Sequence, residues 1–243
     1  KVVIACDYDF DNKKALVLMD RMLERNIDGL IFQGVHLTDE ILKKLHEFPC
    51  PVVLGNQGLS GDDCEFTTVT VDSYGVARDI TEFLVGDGHR RIAYVGGNAE
   101  DYTNGQLRLK GYRDAMKAAG LEIPDSYIYQ GNFSTEAGVE GMKKIYENSR
   151  DLPTAVITGS DIIAIGVIRY LKSLNIRVPE DISVFGVDDS VSDIFDPPLS
   201  TVRMFQQGEM FYEALFGEHA DEKKIIHFPY QLVRRNSTRK LWQ

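Results

Sequence analysis

"VPEDISVFGVDDS", residues 178–190, decides how this chain is read. An apolar strand, Ile182 to Val187, runs directly into two adjacent carboxylates, Asp188 and Asp189. A strand that is apolar at successive positions is covered on both faces, as in parallel sheets flanked by helices. Ligands of open parallel sheets bind outside the carboxyl ends of the strands. The two acids stand at such an end, after Gly186, which lets another backbone or a ligand come close. One acid can face a ligand and accept two hydroxyl hydrogen bonds from a polyol, while the other turns away or caps the next turn. The competing reading makes both acids turn formers ahead of "SVSD".

The rest of the chain repeats this alternation. Short β-rich runs occur at 2–5, 27–32, 51–55, 91–97, 126–131, 154–159 and 182–187. Amphipathic stretches lie between them. Residues 12–25 place Ala15, Leu18, Met19, Met22 and Leu23 on one face at helical spacing, and similar patterns cover 73–86, 106–119, 135–148 and 161–174. Strands alternating with helices imply crossover connections, hence an α/β fold with parallel sheets. Seven such units exceed one small sheet. The spacing breaks around 56–72 and 188–203, so two doubly wound lobes joined by crossings are expected.

Composition narrows the function. The 243 residues are 43% hydrophobic and 26% charged, as in soluble globular proteins. A net charge of -10 makes this segment a poor binder of phosphate backbones by itself. No apolar run reaches the ~20 residues needed to span a bilayer, and no signal peptide opens the chain, so no membrane partner is expected. Cys6, Cys50 and Cys64 show no CxxC spacing, which fits a reduced, cytoplasmic setting. The five histidines form no metal-ligand spacing, and neither GxSxG nor a Walker loop occurs. "GDGHRR" (86–91) lacks the third glycine of a dinucleotide fingerprint and leads into a strand; Gly88 reads as a helix terminator. Neither cofactor nor catalysis is expected.

The stretch "SDIIAIGVIRYLKSLNIRVPEDISVFGVDDSVSDIFDPPLSTVRM" (160–204) resembles the effector-binding core of the lactose-repressor (LacI/GalR) family. The resemblance continues in "VDSYGVARDITEFLVGDGHRRIAYVGG" (71–97), "LRLKGYRDAMKAAGL" (107–121) and "LVRRNST" (232–238), and so covers essentially the whole chain. It implies two lobes similar to periplasmic sugar-binding proteins, with a sugar or sugar phosphate as effector in the cleft. The first lobe is expected at 1–72 and 203–229, the second at 73–202 and 230–243. It further implies a homodimer whose operator DNA is read by a separate amino-terminal helix-turn-helix, with effector binding coupled to operator affinity.

The resemblance also implies a site. Asp188 matches the family's hydroxyl-binding carboxylate, and Arg108 in "LRLKGY" its pocket arginine, whose planar fork suits paired hydroxyls. Phe133 in "QGNFST" stands where the family sets an aromatic against the ligand face. Taken alone, Arg108 reads equally as a surface ion-pair partner and Phe133 as core. Ser160 replaces a common Asn; it can bond ligand, cap the following helix, or do both. Asn56 and Gln33 end successive strands of the first lobe, facing the cleft or bonding loop backbone. Met204 replaces a frequent glutamine, with Gln206 two residues on. Asp72 is expected as a helix cap or hinge residue, outside the site.

Two departures matter. No helix-turn-helix is present in these residues. The alignment also begins at the family's second strand, so a preceding βα unit, carrying further pocket residues, is expected outside them. A solute-binding protein of a sugar transport system is the first rival reading, and a sugar-processing enzyme on a Rossmann-like scaffold the second.

Overall fold

Burial at every strand position is what the sequence demands, and the chain meets it twice. The computed structural model describes residues 2–9, 11–34, 37–58, 65–190, 192–218, 220 and 223–241; Cys64, His36 and His219 lie outside these. The chain divides into two compact units. One is Lys1–Thr70 with Gln206–His227, the other Val71–Phe205 with Phe228–Gln243.

In the first unit, α1 (Asn12–Glu24), β1 (Leu30–Phe32), α2 (Asp39–Leu45), β2 (Val52–Gly55) and β3 (Thr67–Thr70) follow in order. The second unit begins with α3 (Ser73–Gly86), β4 (Ile92–Gly96), α4 (Arg108–Ala118) and β5 (Ile128–Gln130). It continues with α5 (Thr135–Asn148), β6 (Ala155–Thr158), α6 (Asp161–Ser173), β7 (Ser183–Phe185) and β8 (Thr201–Met204). The chain then returns to the first unit for α7 (Gln207–Phe216) and β9 (Ile225–His227), and ends in the second with β10 (Tyr230–Val233).

The first unit's sheet has the order β1-β2-β3-β9, parallel throughout. Ala15 and Met19 of α1 pack with Phe32, Ile41, Leu45, Phe48, Leu54 and Phe66 to form its core. The run at 2–5, expected as a strand, is not one. Val2 and Val3 are 92% and 89% exposed, and among the described residues no strand pairs with this segment. A β-propensity run without a ladder partner has no hydrogen bonds to fix it as a strand.

The second unit's sheet has the order β5-β4-β6-β7, also parallel. Chain order reverses between β4 and β6, so the topological switch point lies there. Every residue of β4, β6 and β7 is buried, as the unbroken apolar runs require. The core joins Val95, Val156, Ile163, Val167, Leu171, Val184 and Leu199 with Met142 and Ile145 of α5. The α3 face of Val76, Ala77, Ile80 and Leu84 is buried, and α3 packs on α4. Asp72 caps α3 by accepting from the Gly75 amide at 2.9 Å, and Gly88 closes it at φ 94°.

β7 would be an exposed edge, but the carboxyl-terminal segment covers it. The Val184 amide donates to the Ser237 carbonyl at 2.8 Å, and the Ser237 hydroxyl donates to the Val184 carbonyl at 2.7 Å. A covered edge offers no row of unpaired amides. His89, between α3 and β4, anchors the same segment through the Arg239 carbonyl at 3.1 Å, and burial pushes its imidazole below the usual range.

Helices α5 and α6 meet at two glycines. A methyl group on Gly138 would lie 2.1 Å from the Ile163 carbonyl oxygen, and one on Gly166 2.0 Å from that of Thr135. Both obstacles are helix backbone, which cannot step aside as a side chain can. Gly138→Ala is therefore expected to lower unfolding free energy by about 1–3 kcal/mol, the usual cost of overpacking. Urea unfolding of the variant checks this; unchanged stability would mean the helices separate freely.

Candidate functional site

Four of the second unit's strands end at one edge, and the sequence loads that edge with polar side chains. β4 is followed by Gly97, β5 by Phe133, β6 by Ser160 and β7 by Asp188. Arg108 reaches the switch point from the other direction. It is the first residue of α4, directly after a π-helical turn, Tyr102–Leu107, of the kind often found at functional sites. Its Nη1 donates to the Gly159 carbonyl beyond β6 at 2.5 Å, and only 4% of the residue is exposed. Its Nε has no partner. A buried, charged donor left unpaired is costly, so this nitrogen is set for an acceptor.

The paired acids divide their labour. The Asp189 carboxylate is saturated: it accepts from Ser192, from Nε of Arg203 on β8, and from Nη2 of Arg235 at 2.7 Å. These bonds hold its carboxyl below the usual range against the pull of desolvation. No hydrogen bond or ion pair to the Asp188 carboxylate exists among the described residues, and its side chain is open to solvent. Crowding by protein atoms and the nearby Asp161 charge push that carboxyl up to about 7, against the attraction of Arg108.

Sequence reasoning passed over three neighbours. Asp161, fully buried in the first turn of α6, accepts from the Thr201 hydroxyl at 2.7 Å and from the Ser190 amide at 3.2 Å. Burial raises its carboxyl to about 6. An acid at a helix start reads as an ordinary dipole partner, so nothing in its spacing marked it. Asp101 caps the π-helical turn through the Asn104 amide at 2.8 Å, and burial raises its carboxyl. The Tyr94 hydroxyl, buried on β4, has no partner. The fourth acid was signalled: Asp189 is the member of the pair that turns away.

The other expected residues fall as follows. Phe133 is half-buried against the core, its ring lying over Gly97, where a methyl group would come within 2.0 Å of it. Ser160 is buried and caps α6, accepting from the Ile163 amide at 3.3 Å. Met204 ends β8, half-buried and paired in register with Tyr230. Arg108, Phe133, Ser160 and Asp188 thus share the carboxyl edge of one sheet. In the first unit, Gln33 and Asn56 follow adjacent strands β1 and β2, and the Gln33 side chain lies over Gly55. Gln206 is exposed, left-handed at φ 57°, at the start of α7. A separate hollow of ≈ 980 Å³ in the second unit is lined by Lys172, Arg177 and Arg235, each already ion-paired. Among the described residues no cluster of acids, histidines or cysteines could hold a metal, and no helix is long and apolar enough to cross a membrane.

The pH dependence carries a sign. A carboxyl raised on folding favours the native state below its unfolded value of 3.8 and loses that contribution as pH rises through about 6. The stability difference between the wild type and Asp161→Asn should therefore shrink from pH 4 to pH 7. Urea titrations across that range measure it; a constant or growing difference would contradict the assignment.

Residues 81–238 match the family model of the periplasmic binding protein-like domain. Catabolite control protein A of Priestia megaterium is 31% identical over 243 residues, an alignment covering 98% of this chain and 72% of that protein. Among solved structures, a transcription regulator from Lactobacillus plantarum superposes with a TM-score of 0.85 at 27% identity, covering 94% of this chain and 88% of that one. A complex of the transcriptional regulator CelR with cellobiose gives 0.81 at 28% identity, over 93% of this chain and 71% of that one. The chain belongs to the LacI family of transcriptional regulators, as their periplasmic-binding-protein-like, ligand-sensing part, and not to a family of enzymes or transport binding proteins.

Proposed function

We propose that this domain senses an uncharged sugar, held at the carboxyl edge of β4–β7 by Asp188 and Arg108. The unpartnered Asp188 carboxylate, beside a saturated Asp189, carries this reading. Once ionised, Asp188 only accepts, and Arg108 only donates. A polyol hydroxyl does both, so it can bridge a free carboxylate and a free guanidinium nitrogen. Phe133 supplies an apolar face for sugar C–H groups. Ser160 has its hydroxyl oxygen committed to capping α6, which leaves its proton for a ligand. Met204 completes the candidate contacts of this unit, whereas Gln33, Asn56 and Gln206 belong to the first unit.

Charge selects within the sugars. Asp101 and Asp188 both feel the Arg108 charge, and Asp161 adds repulsion to Asp188. Two acids beside one cation, with Asp161 near one of them, disfavour a phosphorylated effector, whose own charge would add to theirs. The CelR complex, with cellobiose bound, supports the neutral reading.

In the whole protein, the domain works as a homodimer in the cytoplasm, and effector binding shifts affinity for operator DNA carried by a separate DNA-binding part. No bond is made or broken; the response is a population shift between two states.

A thermal-shift screen against D-glucose, D-ribose, cellobiose, glucose 6-phosphate and adenine tests the proposal. A ligand at 100 times its dissociation constant adds about 2.7 kcal/mol. A neutral sugar should raise the melting temperature. Asp188→Ala should abolish that rise while its own melting temperature stays within a few degrees of wild type. Arg108→Lys should weaken binding about tenfold, because an ammonium cannot reproduce the guanidinium fork. Stabilisation by adenine alone, or a sugar response indifferent to Asp188→Ala, would overturn the assignment.

A further inference from the structure

Asp188 and Asp189 are consecutive non-glycine residues with positive φ, 117° and 53°. Such backbone persists only where its surroundings over-determine it. We infer that Arg235, which forms no hydrogen bond or ion pair with Asp188, is the positioning residue of the effector-binding carboxylate and acts through Asp189. This rests on the sugar-binding reading of Asp188; the placement of the loop itself does not.

Arg235 uses its whole fork. Nη2 donates to Asp189 at 2.7 Å, Nη1 to the Leu199 carbonyl at 2.9 Å, and Nε pairs with Asp193 at 2.9 Å. Its own amide donates to the Ser200 hydroxyl at 2.9 Å, and its side chain is only 12% exposed. Three nitrogens thereby tie three points of the segment 189–199 to the carboxyl-terminal strand pair. Arg203 adds a second bond to Asp189 from β8, but is itself 46% exposed and makes the weaker anchor. The Asp188 amide, donating to the Val202 carbonyl at 3.1 Å, and the Ser190 amide, donating to Asp161, complete the frame. Their hydrogen bonds form only while the backbone keeps its left-handed course.

A planar five-donor group can satisfy three separated acceptors at once; a lysine ammonium, on one point, cannot. Arg235→Lys therefore keeps the charge and loses the geometry. Besides crowding by protein atoms, the groups acting on the Asp188 ionisation are Arg108 on α4 and Asp161 on α6. Because Arg235→Lys keeps the charge, a change in Asp188 titration in that variant reports movement of the loop.

The test uses the chain carrying carbonyl-labelled aspartate, as wild type, Arg235→Lys and Asp189→Asn. Hydrogen exchange reads the amides of Asp188 and Ser190; carbon NMR reads the Asp188 titration midpoint. Both variants should exchange at least tenfold faster at those two amides, with Ala93 and Val156 in β4 and β6 unchanged. The Asp188 midpoint should fall toward the ordinary carboxylate range as the group moves away from the crowding protein atoms and from Asp161. Unchanged exchange and an unchanged midpoint would overturn the inference. Exchange that rises equally in β4 and β6 would also overturn it, by making Arg235 a general stabiliser; Asp189→Asn, which preserves size, guards against mere misfolding of the lysine variant. Cellobiose and D-glucose titrations then separate the two readings. Faster exchange with no sugar bound by any form removes the sugar reading alone; sugar bound equally well by all three removes the positioning role.

Discussion

Everything at the site depends on a carboxylate that binds nothing but protein. Asp189 is crossed by three donors from three places in the chain, Ser192, Arg203 and Arg235. Without them, two adjacent aspartates would not remain at positive φ. The question raised by a strand ending in paired acids has a mechanical answer. One acid is the fastening, and the other is what is fastened. Their carboxyls are displaced in opposite directions for that reason, Asp189 down by its donors and Asp188 up by crowding and by Asp161.

The sheet gives this arrangement its place. Order β5-β4-β6-β7 reverses between β4 and β6, and a crevice opens where successive connections leave on opposite sides. Arg108 spans that point by donating to Gly159, so a buried cation lies where the strand ends diverge. Arg108 stands at a helix start and Ser160 at a helix cap, while Phe133 and Asp188 lie in the loops that follow β5 and β7. Close helix packing through Gly138 and Gly166 keeps the α5–α6 layer fixed beneath them. A sensing site needs this rigidity locally, since affinity for one sugar over another rests on a few hydroxyl contacts worth about 0.5–1.5 kcal/mol each.

Much of the fold could be read from period and polarity. The unbroken apolar runs of β4, β6 and β7 announced two-sided cover, and alternation with helices announced parallel pairing. The run at 2–5 misled, because propensity is local and a ladder is not: Val2 and Val3 have the right side chains, but among the described residues no strand pairs with them. Candidate positions could be named where the argument rests on residue type, as at Asp188, Arg108 and Phe133, which the fold brings to one sheet edge. It was not legible where chemistry depends on burial. Asp161 looks like any acid in a first helical turn, and only its closure against Thr201 and Ser190 raises it to about 6. Arg235 sits 46 residues from the Asp189 it holds, a separation no local pattern reveals.

The most direct measurement is side-chain carbon NMR of the labelled aspartates during titration with cellobiose and D-glucose. The account predicts that a bound sugar moves the Asp188 carboxyl resonance and lowers its titration midpoint, since hydroxyl donors favour the ionised form, while Asp189 stays where its three donors hold it. A sugar that binds tightly yet leaves Asp188 unmoved, or that moves Asp189 instead, would contradict it.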